Sequence, residues 1–339
     1  MTPPPEQRRH DAEVFEQCLA ELRAGCADPT LGLFGAGSWM WRVFREVLLV
    51  ASGGRGILLQ IAHPAVAAAG IQNSNFQQDL IGRARRTFAS VSEWIFGDLE
   101  LAIETARRIH GLHSHVSGII PPEASPRAPG QPYRALDPEL LLWVWATLVD
   151  TGLDMYERLL APLSPAERED YYQESRRWAL LMGVPTARTP ADWAAYRAWW
   201  AATLDGLEVG PAARDMARSL FHSPYAPSRW DEILTAGLLP PSLRDAYDLH
   251  LGPDDYRRFL AAMDLLREVL PRLPASLRYY PAWHQARVRV GEAGQAPAGL
   301  QSWLVQAVDA VVGLPLSLPD GPLPEPHDLL PWLLRALGD

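Results

Sequence analysis

The 339-residue chain contains no lysine, so all 31 of its basic residues are arginine. This absence excludes Schiff-base enzymes, pyridoxal-phosphate enzymes and Walker-type ATPases, since each needs a side-chain amine at a fixed place. Cysteine is nearly absent as well. Cys18 and Cys26 are too few to form a zinc cage or a disulfide framework. We therefore expect a reduced compartment and predict a cytoplasmic protein.

Signals for membranes and nucleic acids are also scarce. The N-terminal residues lack the apolar core of a signal peptide. The longest apolar passage, Leu48–Ala69, is interrupted by Gly53, Gly54 and Arg55, which favours buried helices over a membrane span. The net charge is −9 and no basic run occurs, which argues against a nucleic-acid partner. We expect no integral membrane segment.

Helical periodicity, in contrast, runs through most of the chain, and the pattern predicts an all-α protein built as a single domain. The loop-forming stretch Ile119–Pro132 is rich in proline. Further helices are predicted to start at Ser164, which opens a capping box, and at Thr189. The other predicted helices are Asp11–Ala24, Ser38–Ala51, Gly56–Gly70, Asp79–Phe96, Asp98–His113, Asp137–Leu160, Gly210–His222, Pro241–Leu249, Pro253–Val269, Leu300–Val311 and His327–Leu337. Only Arg287–Val290 resembles a strand.

The region between Leu58 and Gly118 contains the densest group of side chains that can bind a ligand or a metal. It holds four of the nine histidines and five arginines among apolar, helix-forming residues. A buried polar group without a hydrogen-bond partner lowers the stability of the folded protein by roughly 1–3 kcal/mol. So many polar side chains in an apolar segment therefore suggest that some of them bind a ligand.

Arg83, Arg86 and Thr87 share one helix face in this region because they are spaced i, i+3 and i+4. Two permanent cations beside a hydroxyl suit a carboxylate, a propionate or bound oxygen. The alternative is a solvated basic face that forms salt bridges with Asp79 or Glu93.

His110 and His113 share another face at i and i+3, while His115 points elsewhere. Imidazole is a common metal ligand, which makes this group a candidate metal site. The alternative is that histidines near a helix end cap its carbonyls.

His63 precedes a proline within the most apolar predicted helix. Pro64 removes a hydrogen bond to the carbonyl of Gln60, and the resulting kink can open space for a ligand. The alternative is a core histidine bonded to the freed backbone.

Several consecutive segments resemble the rubber oxygenase (latex-clearing protein) and mpaB oxygenase family. Their order and spacing carry the resemblance, which spans roughly residues 30–285. The segments are GAGSWMWRVFREVLLVASGGRGILLQIAHPAVAAAG (Gly35–Gly70), DLIGRARRTFASVSEWIFGD (Asp79–Asp98), RRIHGLHSHVSG (Arg107–Gly118), YRALDPELLLWVWATLVDTGLDMYERL (Tyr133–Leu159), PADWAAYRAWW (Pro190–Trp200) and LPASLRYY (Leu273–Tyr280).

The resemblance implies a helical fold with a globin-like core that holds a b-type haem. In the rubber-cleaving members this haem activates O2 and cleaves isoprenoid double bonds. An Arg-x-x-Lys-Thr motif lies on the distal side in those members, and the corresponding residues here are Arg83, Arg86 and Thr87.

Aligning the HVSG end of the third segment with the family makes His113 the candidate axial iron ligand. His110 and His115 are its neighbours, and His63 and Arg83 are further candidates for cofactor binding.

Three features of the sequence depart from the rubber-cleaving pattern. Arg86 stands where those enzymes have a lysine that can occupy the sixth iron position. Because arginine stays protonated, we predict water or an open position there. No carboxylate lies between Arg55 and Gln78 to serve as the base assigned to some rubber oxygenases, and Trp145 stands where many relatives have histidine.

The resemblance divides the chain into an N-terminal helical extension (1–29), a catalytic domain (30–285) and a C-terminal helical segment (286–339). We expect a haem b-dependent oxygenase that uses O2 on an apolar, isoprenoid-like alkene, with a pocket formed by Phe88, Val91 and Leu148. One alternative is a non-catalytic protein that binds haem or a small hydrophobic ligand. Another is a helical protein that keeps the fold without the cofactor.

Overall fold

The computed structural model describes residues 3–73, 80–127, 129–221 and 229–294; the side chains of residues 73, 80, 81, 83, 84 and 277 lie outside this description. Across these ranges the chain is mostly helical, so the all-α prediction is confirmed, whereas the globin-like core stays a prediction. The helices are α1 (Pro5–Ala24), α2 (Trp39–Phe44), α3 (Gly53–Ile61), α4 (Pro64–Asn73), α5 (Leu80–Phe96), α6 (Leu99–His113), α7 (Pro138–Leu159), α8 (Pro165–Leu181), α9 (Trp193–Gly206), α10 (Pro211–Phe221), α11 (Arg229–Leu238), α12 (Pro241–Ala246), α13 (Pro253–Val269), α14 (Ala275–Arg278) and α15 (Pro281–Arg289).

Several helices begin where the sequence signals place them. The Asp137 carboxylate accepts a hydrogen bond from the Glu139 backbone N–H at the start of α7. At the start of α8 the predicted capping box forms: Glu167 N–H donates to the Ser164 hydroxyl, and Ser164 N–H donates to the Glu167 carboxylate. These side chains satisfy backbone donors that the first turn leaves unpaired, which fixes where each helix starts.

The predicted helix Ser38–Ala51 is wrong in its second half. Regular helix ends at Phe44, and a 3-10 segment follows at Val47–Ser52. Between them the buried Glu46 carboxylate accepts two hydrogen bonds of 2.8 Å from Arg278. Because the backbone here also pairs with the segment around Tyr279, a partner distant in sequence decides its conformation.

One other local prediction is also wrong. The helix expected from Thr189 begins at Trp193, because Asp192 caps it, while the Thr189 hydroxyl accepts a hydrogen bond from Arg176. The strand-like piece Arg287–Val290 overlaps the last turn of α15. The predicted helices Leu300–Val311 and His327–Leu337 lie outside the described residues.

A small antiparallel sheet brackets the predicted proline-rich loop. Strand β1 (Ser117–Ile119) pairs with β2 (Pro132–Arg134), with Ser117 opposite Arg134. Strands of three residues are too short to produce a recognisable alternating pattern, and these two were not predicted. The sheet ties the segment after α6 to the segment before α7.

One hydrophobic core runs through the described residues and is rich in tryptophan. Trp41, Trp143, Trp145 and Trp178 are at most 1% exposed. Helix α1 contributes buried side chains, including Phe15, to the same core. The boundaries of the three predicted segments stay a prediction. No helix in the described ranges is long and apolar enough to cross a membrane.

Candidate functional site

Helices α5 and α6 form one helix pair that carries two of the predicted groups of site residues. The helices pack along each other and are joined only by Gly97 and Asp98, so they run antiparallel. At a rise of about 1.5 Å per residue, Arg86 and His110 each lie about 15–17 Å from the connection. Hydrogen bonds from Thr105 and Arg108 of α6 to the Glu93 carboxylate of α5 fix this register.

Arg86 and Thr87 are exposed on α5, and the side chain of Arg83 lies outside the described residues. Glu93, one of the salt-bridge partners considered from the sequence, pairs instead with Arg108 of α6 at 2.9 Å. Asp79, the other partner considered, lies outside the described residues.

The three clustered histidines have different surroundings. His113 is exposed in the last turn of α6, and His115 is exposed just beyond it. The His110 ring stacks on Phe15 of α1 with ring centroids 4.1 Å apart, and burial lowers its pKa. His113 is therefore exposed at the C-terminal end of α6, while His110 packs under α1.

Apolar side chains are exposed at this end of the molecule. Leu112 is 67% exposed on α6, Ile71 is 44% exposed on α4, and Ile119 is 42% exposed on β1. The Gln72 amide donates to the Ile119 carbonyl at 2.8 Å, so α4 and β1 are held together. Large apolar side chains exposed beside polar groups are a usual sign of a ligand or partner surface.

Gly118, the glycine of the HVSG motif, is required by close packing. A Cβ atom here would collide with the Gln72 amide and would lie 2.9 Å from the Tyr133 ring. The Tyr133 hydroxyl donates to Gln72 at 2.9 Å. This motif position therefore has a structural reason, because only glycine lets α4 and β2 approach the chain after α6.

The predicted helix Gly56–Gly70 is divided at Pro64 into α3 and α4. The Gln60 carbonyl that proline frees accepts hydrogen bonds from the His63 N–H, at 3.2 Å, and from the Trp143 indole, at 3.4 Å. Nδ1 of His63 accepts a hydrogen bond from the N–H of Ala65, the second residue of α4. His63 thus caps α4, which neither sequence interpretation included.

His63 lines an open cleft that includes no residue of α5 or α6. The cleft has a volume of about 610 Å³ and is bordered by residues of α7, α9 and the segment before α9; they are Pro138, Glu139, Leu142, Trp143, Ala187, Arg188, Trp199 and Thr203. Burial lowers the pKa of His63 to about 4. Its imidazole is therefore neutral near pH 7, with the proton on Nε2 because Nδ1 accepts a hydrogen bond.

Trp145, which replaces the histidine of many relatives, is fully buried. Its indole N–H donates to the Ser175 carbonyl of α8 at 3.0 Å, and its ring contacts Tyr172 and Tyr196. In this chain the position joins α7 to α8 and α9 through packing.

A buried ion network surrounds Arg55 and was not predicted from the sequence. The Arg55 guanidinium is 2.5 Å from Asp150 and 2.5 Å from the Thr151 hydroxyl, and its Nε donates to the Leu238 carbonyl. Arg197 of α9 donates to the second oxygen of Asp150. A charged residue inside the apolar passage Leu48–Ala69 was the available signal, since a buried arginine needs a partner.

The donor set fits a haem better than a bare metal ion. No three residues among the described His, Cys, Asp and Glu side chains form a cluster able to hold a metal ion. A haem needs only one axial side chain from the protein, together with apolar surface and cationic or hydroxyl donors. Helices α5 and α6 carry these types of group in His113, Leu112, Arg86 and Thr87.

Comparisons with known proteins agree with the resemblance seen in the sequence. The model of the "ER-bound oxygenase mpaB/B'/Rubber oxygenase, catalytic domain" matches residues 41–268. The uncharacterized proteins Mb2261 of Mycobacterium bovis and Rv2237 of Mycobacterium tuberculosis are each 30% identical to the chain over 142 residues, which is 40% of this chain. The match spans 56% of each relative, about half of its length. No solved structure matches the chain.

Proposed function

The chain belongs to the ER-bound oxygenase mpaB/B'/rubber oxygenase family, and we propose that it is a haem b-dependent oxygenase with His113 as the axial iron ligand. The proposed reaction adds O2 across the double bond of an apolar, isoprenoid-like alkene and leaves two carbonyl products. Both oxygen atoms enter the products, so the reaction needs no external reductant.

One observation supports the proposal: the exposed His113 lies in the last turn of α6, and α6 packs antiparallel against α5, the helix that carries Arg86 and Thr87. Counted from the connection at Gly97 and Asp98, Arg86 lies about 15 Å along α5 and His113 about 21 Å along α6, so the two residues differ in height by about one helical turn.

Haem, when bound, would supply the iron that activates O2. The His113 imidazole would bind this iron through a neutral nitrogen. Arg86 stays protonated and therefore cannot ligate iron, but its guanidinium can donate hydrogen bonds to a carboxylate or to an oxygen ligand. The Thr87 hydroxyl can donate one further hydrogen bond.

Apolar side chains next to these donors would receive the substrate and exclude water. Phe88 and Val91 of α5 and Leu148 of α7 are half-buried against the core, and Leu112 is exposed on α6. An isoprenoid offers no hydrogen-bonding groups, so it would be held by burial of its apolar surface.

The first experiment is an absorption spectrum of the purified protein before and after addition of haemin. We expect a Soret band in the wild-type protein and in the control variant His250→Ala, and loss of haem affinity in His113→Ala with unchanged far-ultraviolet circular dichroism. Full haem affinity in the His113→Ala variant would exclude His113 as the ligand. Absence of haem binding by the wild-type protein would exclude the haem oxygenase proposal.

A second measurement separates an oxygenase from a non-catalytic haem binder. Haem-loaded protein is mixed with squalene as the alkene probe, and oxygen uptake and carbonyl products are followed. Stoichiometric consumption of O2 with formation of carbonyls supports catalysis on isoprenoids. Binding of haem without oxygen uptake supports the alternative of a haem carrier or sensor.

A further inference from the structure

The cleft beside His63 has the features of a second small-molecule site, separate from the proposed haem site. Its volume of about 610 Å³ lies within the range of roughly 300–1,000 Å³ that is usual for ligand pockets. None of its lining residues belongs to α5 or α6. The cleft is therefore available to a ligand whether or not haem binds.

Two indole rings line the cleft, and Trp199 provides most of the apolar surface that a ligand can reach. Trp143 is 1% exposed and stacks on Trp200 with ring centroids 5.2 Å apart. Trp199 lines the same cleft from α9 and is half-buried. Flat apolar groups bind such surfaces by stacking and by burial of their area.

Two opposite charges line the cleft without pairing. Glu139 lies in the first turn of α7, and Arg188 lies in the segment before α9. No ion pair within 4.0 Å joins them, and neither side chain has a hydrogen-bond or ion-pair partner in the part of the chain that the structure describes. They can therefore contact the two charged ends of one ligand.

His63 and Thr203 add neutral polar groups. The Nε2–H of His63 is a donor because Nδ1 accepts the N–H of Ala65 at 3.2 Å. The Thr203 hydroxyl donates to the Trp199 carbonyl at 2.8 Å, which leaves its oxygen as an acceptor.

From these contacts we infer that the cleft binds a small zwitterion with a flat apolar body, of the chemical class of an aromatic amino acid. Arg188 binds the carboxylate, Glu139 binds the ammonium group, and the ring lies against Trp143 and Trp199. An apolar ligand without charge would leave both charged side chains unused, and a ligand with a single charge would leave one unused.

Three matched probes test the inference by calorimetry on the full chain: L-phenylalanine, 3-phenylpropionate, which lacks the amine, and 2-phenylethylamine, which lacks the carboxylate. We expect L-phenylalanine to bind about fivefold more tightly than either other probe, since each contact with an exposed charged side chain contributes at most about 1 kcal/mol. Equal affinities for the three probes, or no binding by any of them, would overturn the inference.

Variants assign each charge to its partner. Arg188→Gln should weaken the binding of L-phenylalanine and 3-phenylpropionate several-fold and leave the binding of 2-phenylethylamine unchanged. Glu139→Gln should weaken the binding of L-phenylalanine and 2-phenylethylamine and leave that of 3-phenylpropionate unchanged. Both residues are exposed, so folding is expected to persist. The control Arg257→Gln removes an exposed arginine of α13 outside the cleft and should change nothing.

Nuclear magnetic resonance signals of the histidine imidazoles show where the ligand binds. L-Phenylalanine should shift the signals of His63 and leave those of the exposed His250 unchanged. Identical effects of the two charge variants on all three probes, or shifts at His113 in place of His63, would contradict this site.

Discussion

Single residues determine how the chain breaks between α3 and α4. Pro64 cannot donate to the Gln60 carbonyl, and the Trp143 indole contacts that carbonyl instead. His63 then caps α4 through Nδ1 and must be unprotonated to do so. Burial lowers the pKa of His63 to about 4, against an ordinary value of 6.5.

This depressed pKa predicts a loss of stability in acid. The folded state favours the neutral form of His63, so this residue stabilises the protein fully above about pH 6.5. The stabilisation is lost as the pH falls towards about 4. The loss amounts to up to about 3 kcal/mol in the free energy of unfolding. Urea denaturation at about pH 7.5 and about pH 5 measures the loss.

His63→Asn is the matched variant, since asparagine caps a helix without titrating. The difference in unfolding free energy between the wild type and this variant should shrink as the pH falls. A difference independent of pH would show that His63 does not titrate as described.

A second prediction at this scale concerns Arg86 and depends on the proposed haem site. Arg86→Lys introduces an amine that can ligate iron once it loses its proton. With haem bound, this variant should become six-coordinate and low-spin as the pH rises, while the wild type should not make that transition. Absorption spectra across a pH titration check this, and identical spectra would place residue 86 away from the iron.

At the scale of elements, the Arg55 network joins four helices. Arg55 of α3 contacts Asp150 and Thr151 of α7 and the Leu238 carbonyl of α11, and Arg197 of α9 shares Asp150. Arg55 is only 3% exposed, so its charge depends on these partners. The network sets how α3, which leads to His63, packs on α7.

Asp150→Ala should therefore lower the free energy of unfolding by roughly 3 kcal/mol, because it removes the carboxylate 2.5 Å from the buried Arg55 and leaves only Asp154, at 3.8 Å, as a counter-ion. Arg197→Ala removes only the half-exposed partner and should cost about 1 kcal/mol or less. Chemical denaturation of both variants gives the comparison. If the two variants lose similar amounts of unfolding free energy, burial of Arg55 does not control the stability of this network.

At the scale of the whole molecule, α1 belongs to the same core as the rest. Its residues Phe15, Cys18, Leu19 and Leu22 are each at most 3% exposed, and Phe15 stacks on His110 of α6. Burial of such side chains is worth roughly 1.5–3 kcal/mol each, which is a large part of the net stability of a protein.

Deletion of residues 1–29 should therefore lower the free energy of unfolding by about 5 kcal/mol or more and expose apolar surface. Thermal unfolding and binding of a hydrophobic dye measure both effects. Arg107→Ala, which breaks only the exposed ion pair between α1 and α6, is the control and should cost less than about 1 kcal/mol. A stable truncated chain would support an independent N-terminal extension.

The sequence by itself determined the helical class, most helix starts and the family. These follow from local physics: apolar spacing of 3.6 residues predicts helices, and side chains such as Ser164 and Asp137 cap their own helix. Segment order carried the family resemblance, including the positions of Arg83, Arg86, Thr87 and His113. No tertiary contact is needed for any of these inferences.

Only the tertiary structure decided which residues meet. It divided the predicted helix 38–51, because Glu46 pairs with Arg278 more than two hundred residues away. It placed His63 in a cleft apart from α5 and α6, and it paired Arg55 with Asp150. These contacts depend on how helices pack, and one sequence carries no signal of the partner that a buried charge or a freed carbonyl will find.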